Sequence, residues 1–436
     1  MSELREERQE VGTCVELFAG GGGLAMAVHA AGFRPLLVNE YAKRACESLT
    51  KNPPNPDEPE KRWPLVPGDV REVDFKLLVT DEVDVLAGGP PCQPFSLGGV
   101  AKGMEDERNM FPEMFRAIRE MRPKAVICEN VRGLLRPSFK PYFDYILNEM
   151  RLPFVERHKD HTWEEHNEIL EKLLANESVD PKMRYDVKEV AVNAADYGVP
   201  QIRQRVIIVA FRADLDVDWD NHLPKQEYSE EAMIHSMREG GSYWKRHKVS
   251  PEVRKRVIDN LPELDYENKK VKAKLEMKPW RTLRDAIAGI DENEGNPLPS
   301  VPEVAVKNKI EVGGIADHIG WPGARMYAGH TPNLLDRPAK TVKAGVHGVP
   351  GGESVMQLDD VNFANFGGGT GYRYMTVRET ARVMTFPDHV VLEGPRGEKM
   401  RQLGNAVPVK LGKAFADAVA NALASVGALE APEKRK

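Results

Sequence analysis

The turn Pro90-Pro91-Cys92-Gln93-Pro94 sets a cysteine among three prolines, directly after the apolar run Val83-Asp84-Val85-Leu86-Ala87. Proline fixes φ and removes a backbone donor, so such a turn keeps its shape and aims the sulfur. A lone loop cysteine is ordinarily a small buried hydrophobe, but two other groups change that reading. Glu129 ends a second apolar run, Ala125 to Cys128, and Arg203 and Arg205 alternate along what reads as one strand edge. A thiolate, a carboxyl that acts as general acid where its pocket raises its pKa, and two guanidiniums suit nucleophilic catalysis in which negative charge builds on the substrate. Met singly, Glu129 reads as a cap or surface acid and the arginines as a solvated edge; together they read as a site.

A second constellation lies upstream. Glu16-Leu17-Phe18-Ala19-Gly20-Gly21-Gly22-Gly23-Leu24 follows an apolar strand and opens a helical stretch, where glycines let the backbone turn tightly and approach a ligand. Gly20, Gly22 and Ala25 satisfy the pattern G-x-G-x-x-A. Glu40 closes the next strand, about twenty residues on, where a carboxylate accepts from a ribose hydroxyl. Asp69, in Gly68-Asp69-Val70, ends a third segment and is placed to accept from an adenine amino group. Three acceptors at successive strand ends predict one adenosine-type cofactor.

These groups need a scaffold that brings strand ends together. Short apolar strands at Thr13–Phe18, Pro35–Asn39, Val83–Ala87, Ala125–Cys128, Val187–Val192 and Val206–Phe211 alternate with helical stretches. That alternation predicts an α/β fold: a Rossmann-like mixed, mostly parallel sheet with helices on both faces. The pattern breaks after Arg212. Residues 1–212 are expected to form a catalytic, cofactor-binding domain, 213–371 a smaller irregular domain with variable insertions, and 372–436 a segment returning to the first. Asn52–Glu60 reads as a Pro-rich loop and His158–Asn176 as a solvated helix.

A chain of 436 residues buries an ample core without staples, and its four cysteines show no C-x-x-C spacing, which argues against a zinc site or a disulfide framework. The charged start Met1-Ser2-Glu3-Leu4-Arg5 and the lack of a long apolar run predict neither secretion nor a membrane span. A net charge of −6 gives no general case for a nucleic-acid partner. Locally, however, Lys245 to Arg281 carries twelve Lys and Arg against six Asp and Glu, a patch suited to phosphates as well as to a solvated helix surface.

Read in order, Phe18-Ala19-Gly20-Gly21-Gly22, Asn39-Glu40, Gly68-Asp69-Val70, Gly89-Pro90-Pro91-Cys92-Gln93-Pro94-Phe95-Ser96, Glu129-Asn130-Val131, Gln201-Ile202-Arg203-Gln204-Arg205, Arg337-Pro338-Ala339-Lys340-Thr341 and Gly404-Asn405-Ala406-Val407-Pro408 match one family. The chain resembles the cytosine-C5 DNA methyltransferases of the bacterial and phage restriction-modification type. The resemblance implies methyl transfer from S-adenosyl-L-methionine, leaving S-adenosyl-L-homocysteine, to C5 of a flipped cytosine in a specific duplex sequence, through a bond from Cys92 to C6. It implies Glu129 at N3 and the 4-amino group, Arg205 as the direct contact to O2, and Arg203 assisting. It places cofactor contacts at Phe18, Ala19, Gly20, Gly22, Gly23, Leu24, Glu40, Tyr41, Asp69, Val70, Pro91, Asn405, Ala406 and Val407.

The loop Gln93–Asn109 reads as a lid over the flipped base, with Gln93, Ser96 and Lys102 as DNA contacts. Target recognition falls between the Arg205 and Arg337 blocks, and the glycine run Gly345–Gly352 is expected near the DNA. No metal is expected. The implied partner is double-stranded DNA, with a cognate restriction endonuclease unless the protein is an orphan methylase, acting as a monomer in the bacterial cytoplasm and nucleoid. A nicotinamide oxidoreductase would need neither Pro-Cys-Gln nor the arginines, and a DNA-binding protein without catalysis would not need Cys92, Glu129 and Arg205. RNA cytosine methylation shares the chemistry, but the long variable region favours duplex DNA. Amino-group methylation fails because Asn52-Pro53-Pro54-Asn55 lacks its aromatic residue.

Overall fold

Residues 10–91, 109–176, 179–289, 295–327, 329–344 and 354–430 are described by a computed structural model. By contacts the described residues divide into a sheet unit drawn from 10–192, 204–224 and 412–430, and a second unit drawn from 193–203 and 225–411. This division differs from the one expected from composition. Residues 193–203 and 372–411 group with the second unit, and only the end of the chain, from Gly412, groups with the sheet.

The apolar runs form seven strands: β1 Gly12–Leu17, β2 Phe33–Glu40, β3 Leu65–Pro67, β4 Val85–Gly88, β5 Ala125–Val131, β6 Tyr185–Asn193 and β7 Gln204–Arg212. Their order across the sheet is β3-β2-β1-β4-β5-β7-β6. The pairs β1–β2, β2–β3, β1–β4 and β4–β5 are parallel, whereas β5–β7 is antiparallel. The sheet is therefore mixed and mostly parallel, as expected; β3 is a three-residue strand that its mixed composition hid. Alternation along β2 shows that both faces are covered. Leu37 joins a core with Phe111, Met114 and Phe143 of the helices Phe111–Met121 and Lys140–Arg151, while Val38 joins Ala25, Leu49 and Trp63. Strands buried on both faces carry continuous apolar runs, which is why β4 and β5 are legible.

The charged stretch after His158 forms the helix Trp163–Leu174, opened by a Thr162–Glu165 capping box. It is more than a solvated helix: His166 and Leu170 are buried, and the Trp163 ring meets Tyr142 edge-on at 5.5 Å. Among the described residues no helix is long and apolar enough to cross a membrane.

Glu16 interrupts the apolar β1 and is buried beside the glycine turn. Burial first, and then the nearby Glu40 carboxylate, push its carboxyl well above the ordinary range, against an opposing hydrogen bond from the Ala25 amide. In the second unit, residues 200–203 run alongside 339–342. Ile202 N donates to Ala339 O at 2.8 Å and Ala339 N to Pro200 O at 2.9 Å. Arg203, 1% exposed, donates to Val342 O at 2.9 Å, Gly404 O at 2.8 Å and Ala406 O at 2.9 Å. Gln201 grips the same segment, its Oε1 accepting from Val342 N at 3.0 Å. Gly404 is required there, since a Cβ would lie 2.3 Å from Ala344 N.

Two predictions follow from these buried groups. Arg203→Ala leaves three buried carbonyls without that donor and is expected to destabilise the protein by about 2–4 kcal/mol, read from denaturant melts; a stability unchanged within error would contradict the brace. For Glu16, whose carboxyl is raised in the folded chain, stability is full below the unfolded carboxyl pKa of about 4.3 and falls as pH rises through the folded value. Glu16→Gln stays neutral, so its thermal midpoint relative to the native protein should rise between pH ~5 and ~8; a relative fall would show that the carboxylate is needed charged.

Candidate active site

Strand register sets the geometry. Leu17 pairs with Gly88 and Gly88 with Cys128, so the chain leaves β1 at Phe18, β4 at Gly89 and passes Glu129 on β5 at one level. The chain order reverses between β1 and β4, and open α/β sheets bind ligands at such a switch point. Gly89 packs on Glu129, where a Cβ would stand 3.5 Å from Oε2. Asn130 donates to Pro90 O at 2.9 Å, fixing the Gly89-Pro90-Pro91 turn to the end of β5. Pro91 is exposed. Cys92 follows this anchored turn and, with Gln93, Ser96, Lys102 and the Gly345–Gly352 run, lies outside the described residues.

Across the antiparallel pair, Arg205 stands opposite Val131 and Ile207 opposite Glu129. Glu129 and Arg205 are therefore diagonal neighbours on one face. Arg205 Nε is 2.7 Å from Glu129 Oε1, yet that buried oxygen receives no aligned hydrogen among the described residues. Direction decides between these two facts: the contact is a close ion pair rather than a directed hydrogen bond. Arg205 Nη1 instead donates to Gln204 O at 2.8 Å. A buried carboxyl with unused acceptor capacity is uncommon and marks a place where a ligand completes the bonding.

The glycine turn has the shape a nucleotide cofactor needs. Phe18, Gly20 and Gly22 have φ of 59°, 55° and 88°, a region that strains Phe18 and suits the glycines. A Cβ on Gly20 would meet nothing within 4 Å, so the backbone there faces open space. Gly22 caps the helix Gly23–Ala30, in which Gly23 and Leu24 are buried; Ala19 N donates to Asn39 O at 3.1 Å. Glu40 receives Gly20 N and Ala42 N, each at 2.6 Å, so its carboxylate braces the turn while each oxygen keeps a further lone pair. Beside it the Tyr41 ring is 77% exposed.

Asp69 is less free than expected. Arg71 forks onto it with Nε–O distances of 3.0 and 3.1 Å and also donates its backbone N–H, and these bonds, the side chain's first, hold the carboxyl below its ordinary range. The pair is solvated, and such pairs exchange readily with other partners. Val70 is buried in the short turn that Asp69 caps. Asn405 is exposed at the end of the helix Arg396–Asn405, while Ala406 and Val407 are buried; this block belongs to the second unit.

Two expectations require correction. Arg203 does not alternate with Arg205 along one strand edge: β7 begins at Gln204, and the Arg203 guanidinium is committed to backbone carbonyls. The positive surplus of Lys245–Arg281 is also largely cancelled in space. Arg246, Arg254, Lys255, Arg256, Lys272, Lys274 and Lys278 pair with Asp285, Glu239, Asp259, Asp359, Glu267, Glu231 and Glu227. Five of those acids lie outside the stretch, where a count along the chain cannot see them. Sequence reasoning also passed over Asn130, the anchor of the Pro-Pro turn, although it sits beside Glu129, and Glu16, whose signal was an acid in an apolar strand. Among the described residues no cluster of His, Cys, Asp and Glu could hold a metal ion.

The chain is 31% identical to the Type II methyltransferase M.Eco47II of Escherichia coli over 94% of its own length and 79% of that protein. It is 30% identical to the Type II methyltransferase M.NgoMIV of Neisseria gonorrhoeae over 94% of its length and 98% of that protein. The fold is similar to that of Spodoptera frugiperda DNMT2, at 16% identity and a TM-score of 0.52 over 93% of this chain and 99% of that one. It is equally similar to a DNA modification methyltransferase encoded in an E. coli prophage, at 19% identity and a TM-score of 0.51 over 94% and 99% of the two chains. The profile of the C-5 cytosine-specific DNA methylases matches residues 12–152 and 157–421, and the chain belongs to that family.

Proposed function

We propose that this DNA cytosine-5 methyltransferase uses Cys92, Glu129 and Arg205 to activate a cytosine swung out of duplex DNA, as the modification enzyme of a restriction-modification system. The observation that carries the reading is the Glu129–Arg205 pair, a buried carboxyl and a half-buried guanidinium at the level where the chain leaves β4 into Pro90-Pro91.

C5 of cytosine is a poor nucleophile. Attack of the Cys92 thiolate on C6 forms an S–C6 bond and moves the ring's π electrons toward C5, N3 and O2. The Glu129 carboxyl faces N3 and the 4-amino group and supplies a proton as charge builds, and Arg205 meets O2. C5 is then nucleophilic. Once C5 is alkylated, its proton leaves to a base, the S–C6 bond breaks and N3 returns its proton to Glu129, restoring the ring double bond, the thiolate and the Glu129 carboxyl. The turn of Phe18, Ala19, Gly20 and Gly22, with Gly23 and Leu24 opening the helix, holds S-adenosyl-L-methionine. Glu40 would accept from its ribose, Asp69 from its adenine amino group and Asn405 would stand beside its methionine part, with Tyr41, Val70, Pro91, Ala406 and Val407 as further contacts. When bound, this cofactor supplies an electrophilic methyl group. Arg203 acts as a positioning residue, through the Val342 and Gly404 segments it braces. Gln93, Ser96 and Lys102 contact the DNA. The protein acts as a monomer on double-stranded DNA, alongside a cognate endonuclease, in the bacterial cytoplasm.

Bisulfite mapping of plasmid from cells expressing the protein should show methylated cytosine at one sequence. Cys92→Ala should abolish it while keeping cofactor affinity, and Glu129→Gln should slow turnover roughly 10²- to 10⁴-fold. A near-normal rate in either variant would remove that residue from the mechanism.

A further inference from the structure

The patch expected to meet DNA has most of its cations tied up, but the second unit carries another surface on which an exposed arginine is left without an acid partner. Arg325, Met326 and Tyr327 form an exposed tip, with Met326 46% and Tyr327 52% exposed. The Arg325 guanidinium has no ion pair among the described residues; neither Trp321–Leu335 nor Val361–Met375 contains an Asp or Glu, and the acid that reaches the second segment, Glu303, is engaged by Ala364 N at 2.6 Å. Two lysines border aromatic rings, Lys309 Nζ 5.2 Å from the Trp321 ring centre and Lys307 Nζ 5.7 Å from that of Phe366, while the His330 ring meets Tyr327 edge-on at 6.2 Å.

The root of the tip is fixed. Gly323 N donates to Asn365 O at 2.8 Å, and Gly368 packs so tightly that a Cβ would stand 1.9 Å from Ala324 O. The Arg396 guanidinium lies 5.0 Å from the ring centres of both Trp321 and Tyr374. Exposed Met and Tyr with Arg on a rigid base are typical of an interface, not of a solvated loop. An arginine without an acid partner, with lysines beside the neighbouring rings, suits a polyanionic partner.

We propose that Arg325, Met326 and Tyr327 read the DNA sequence around the target cytosine. Arg325 donates to a guanine edge, and Met326 and Tyr327 supply the apolar contact that recognises a thymine methyl or wedges beside the vacated base. This inference rests on the functional reading above.

The test is steady-state methylation of the cognate duplex, identified by mapping of the native protein, and of duplexes with one base changed, by the native protein, Arg325→Ala and Tyr327→Ala. The gap in kcat/KM between cognate and altered duplexes should shrink about ten- to a hundredfold in at least one variant, with S-adenosylhomocysteine affinity and thermal midpoint unchanged. An unchanged gap in both variants overturns the inference. So does an equal fall on all duplexes, which would assign the tip to phosphate binding alone, or a loss of self-association with the gap intact, which would assign it to a second copy of the chain. If the native protein methylates no cytosine at all, the functional reading itself fails, an outcome distinct from native methylation with unaltered discrimination in the variants.

Discussion

The active-site arrangement depends on the register with which β1, β4 and β5 end. Hydrogen bonding locks Leu17, Gly88 and Cys128 in line, so three chemically different connections leave the sheet side by side: a glycine turn, a proline turn and an acidic strand end. A slip of one residue in any strand would reverse its side chains and carry Glu129 to the opposite face. The reversal of β7 is equally necessary. Because it runs antiparallel to β5, its first residues reach the end where Glu129 lies; a parallel β7 would present Arg212 there instead of Arg205.

Two arginines separated by one residue show how burial divides structure from chemistry. Arg203 spends its terminal nitrogens on the carbonyls of Val342, Gly404 and Ala406, and a guanidinium held by three backbone carbonyls fixes a shape. Arg205 stands close to Glu129 without completing its bonding. A desolvated carboxyl with unused lone-pair capacity is unfavourable in the resting protein, and it becomes favourable when a ligand donates to it. Glu40 is an intermediate case, bracing the glycine turn while retaining capacity on both oxygens.

The fold was readable wherever burial on two faces forced continuous apolar runs, as in β4 and β5. β3 was not, because Leu65-Val66-Pro67 is short and only half-buried. Residue types at strand ends were sufficient to mark Glu129, Glu40 and Arg205, since chemistry at a sheet edge restricts both type and position. What lay beyond the sequence was the destination of long charged side chains. Nothing in Gln201-Ile202-Arg203 states that the guanidinium turns inward, nor does Lys245–Arg281 disclose that Glu227, Glu231, Glu239, Asp285 and Asp359 fold back against it. Exposure was hidden for the same reason: Arg325-Met326-Tyr327 reads as ordinary loop until the tight contacts at its base are seen.

The central claim is that the sulfur of Cys92 bonds to C6 of an extruded cytosine held by Glu129 and Arg205. Incubation with cofactor and a cognate duplex carrying 5-fluorocytosine at the target tests it most directly, because fluorine at C5 cannot leave as a proton does and the adduct persists. Mass spectrometry of the digested complex should find the nucleotide on the peptide that contains Cys92, with no adduct from Cys92→Ser. Methylated product accumulating on ordinary DNA while no adduct forms on the fluorinated duplex would contradict the account.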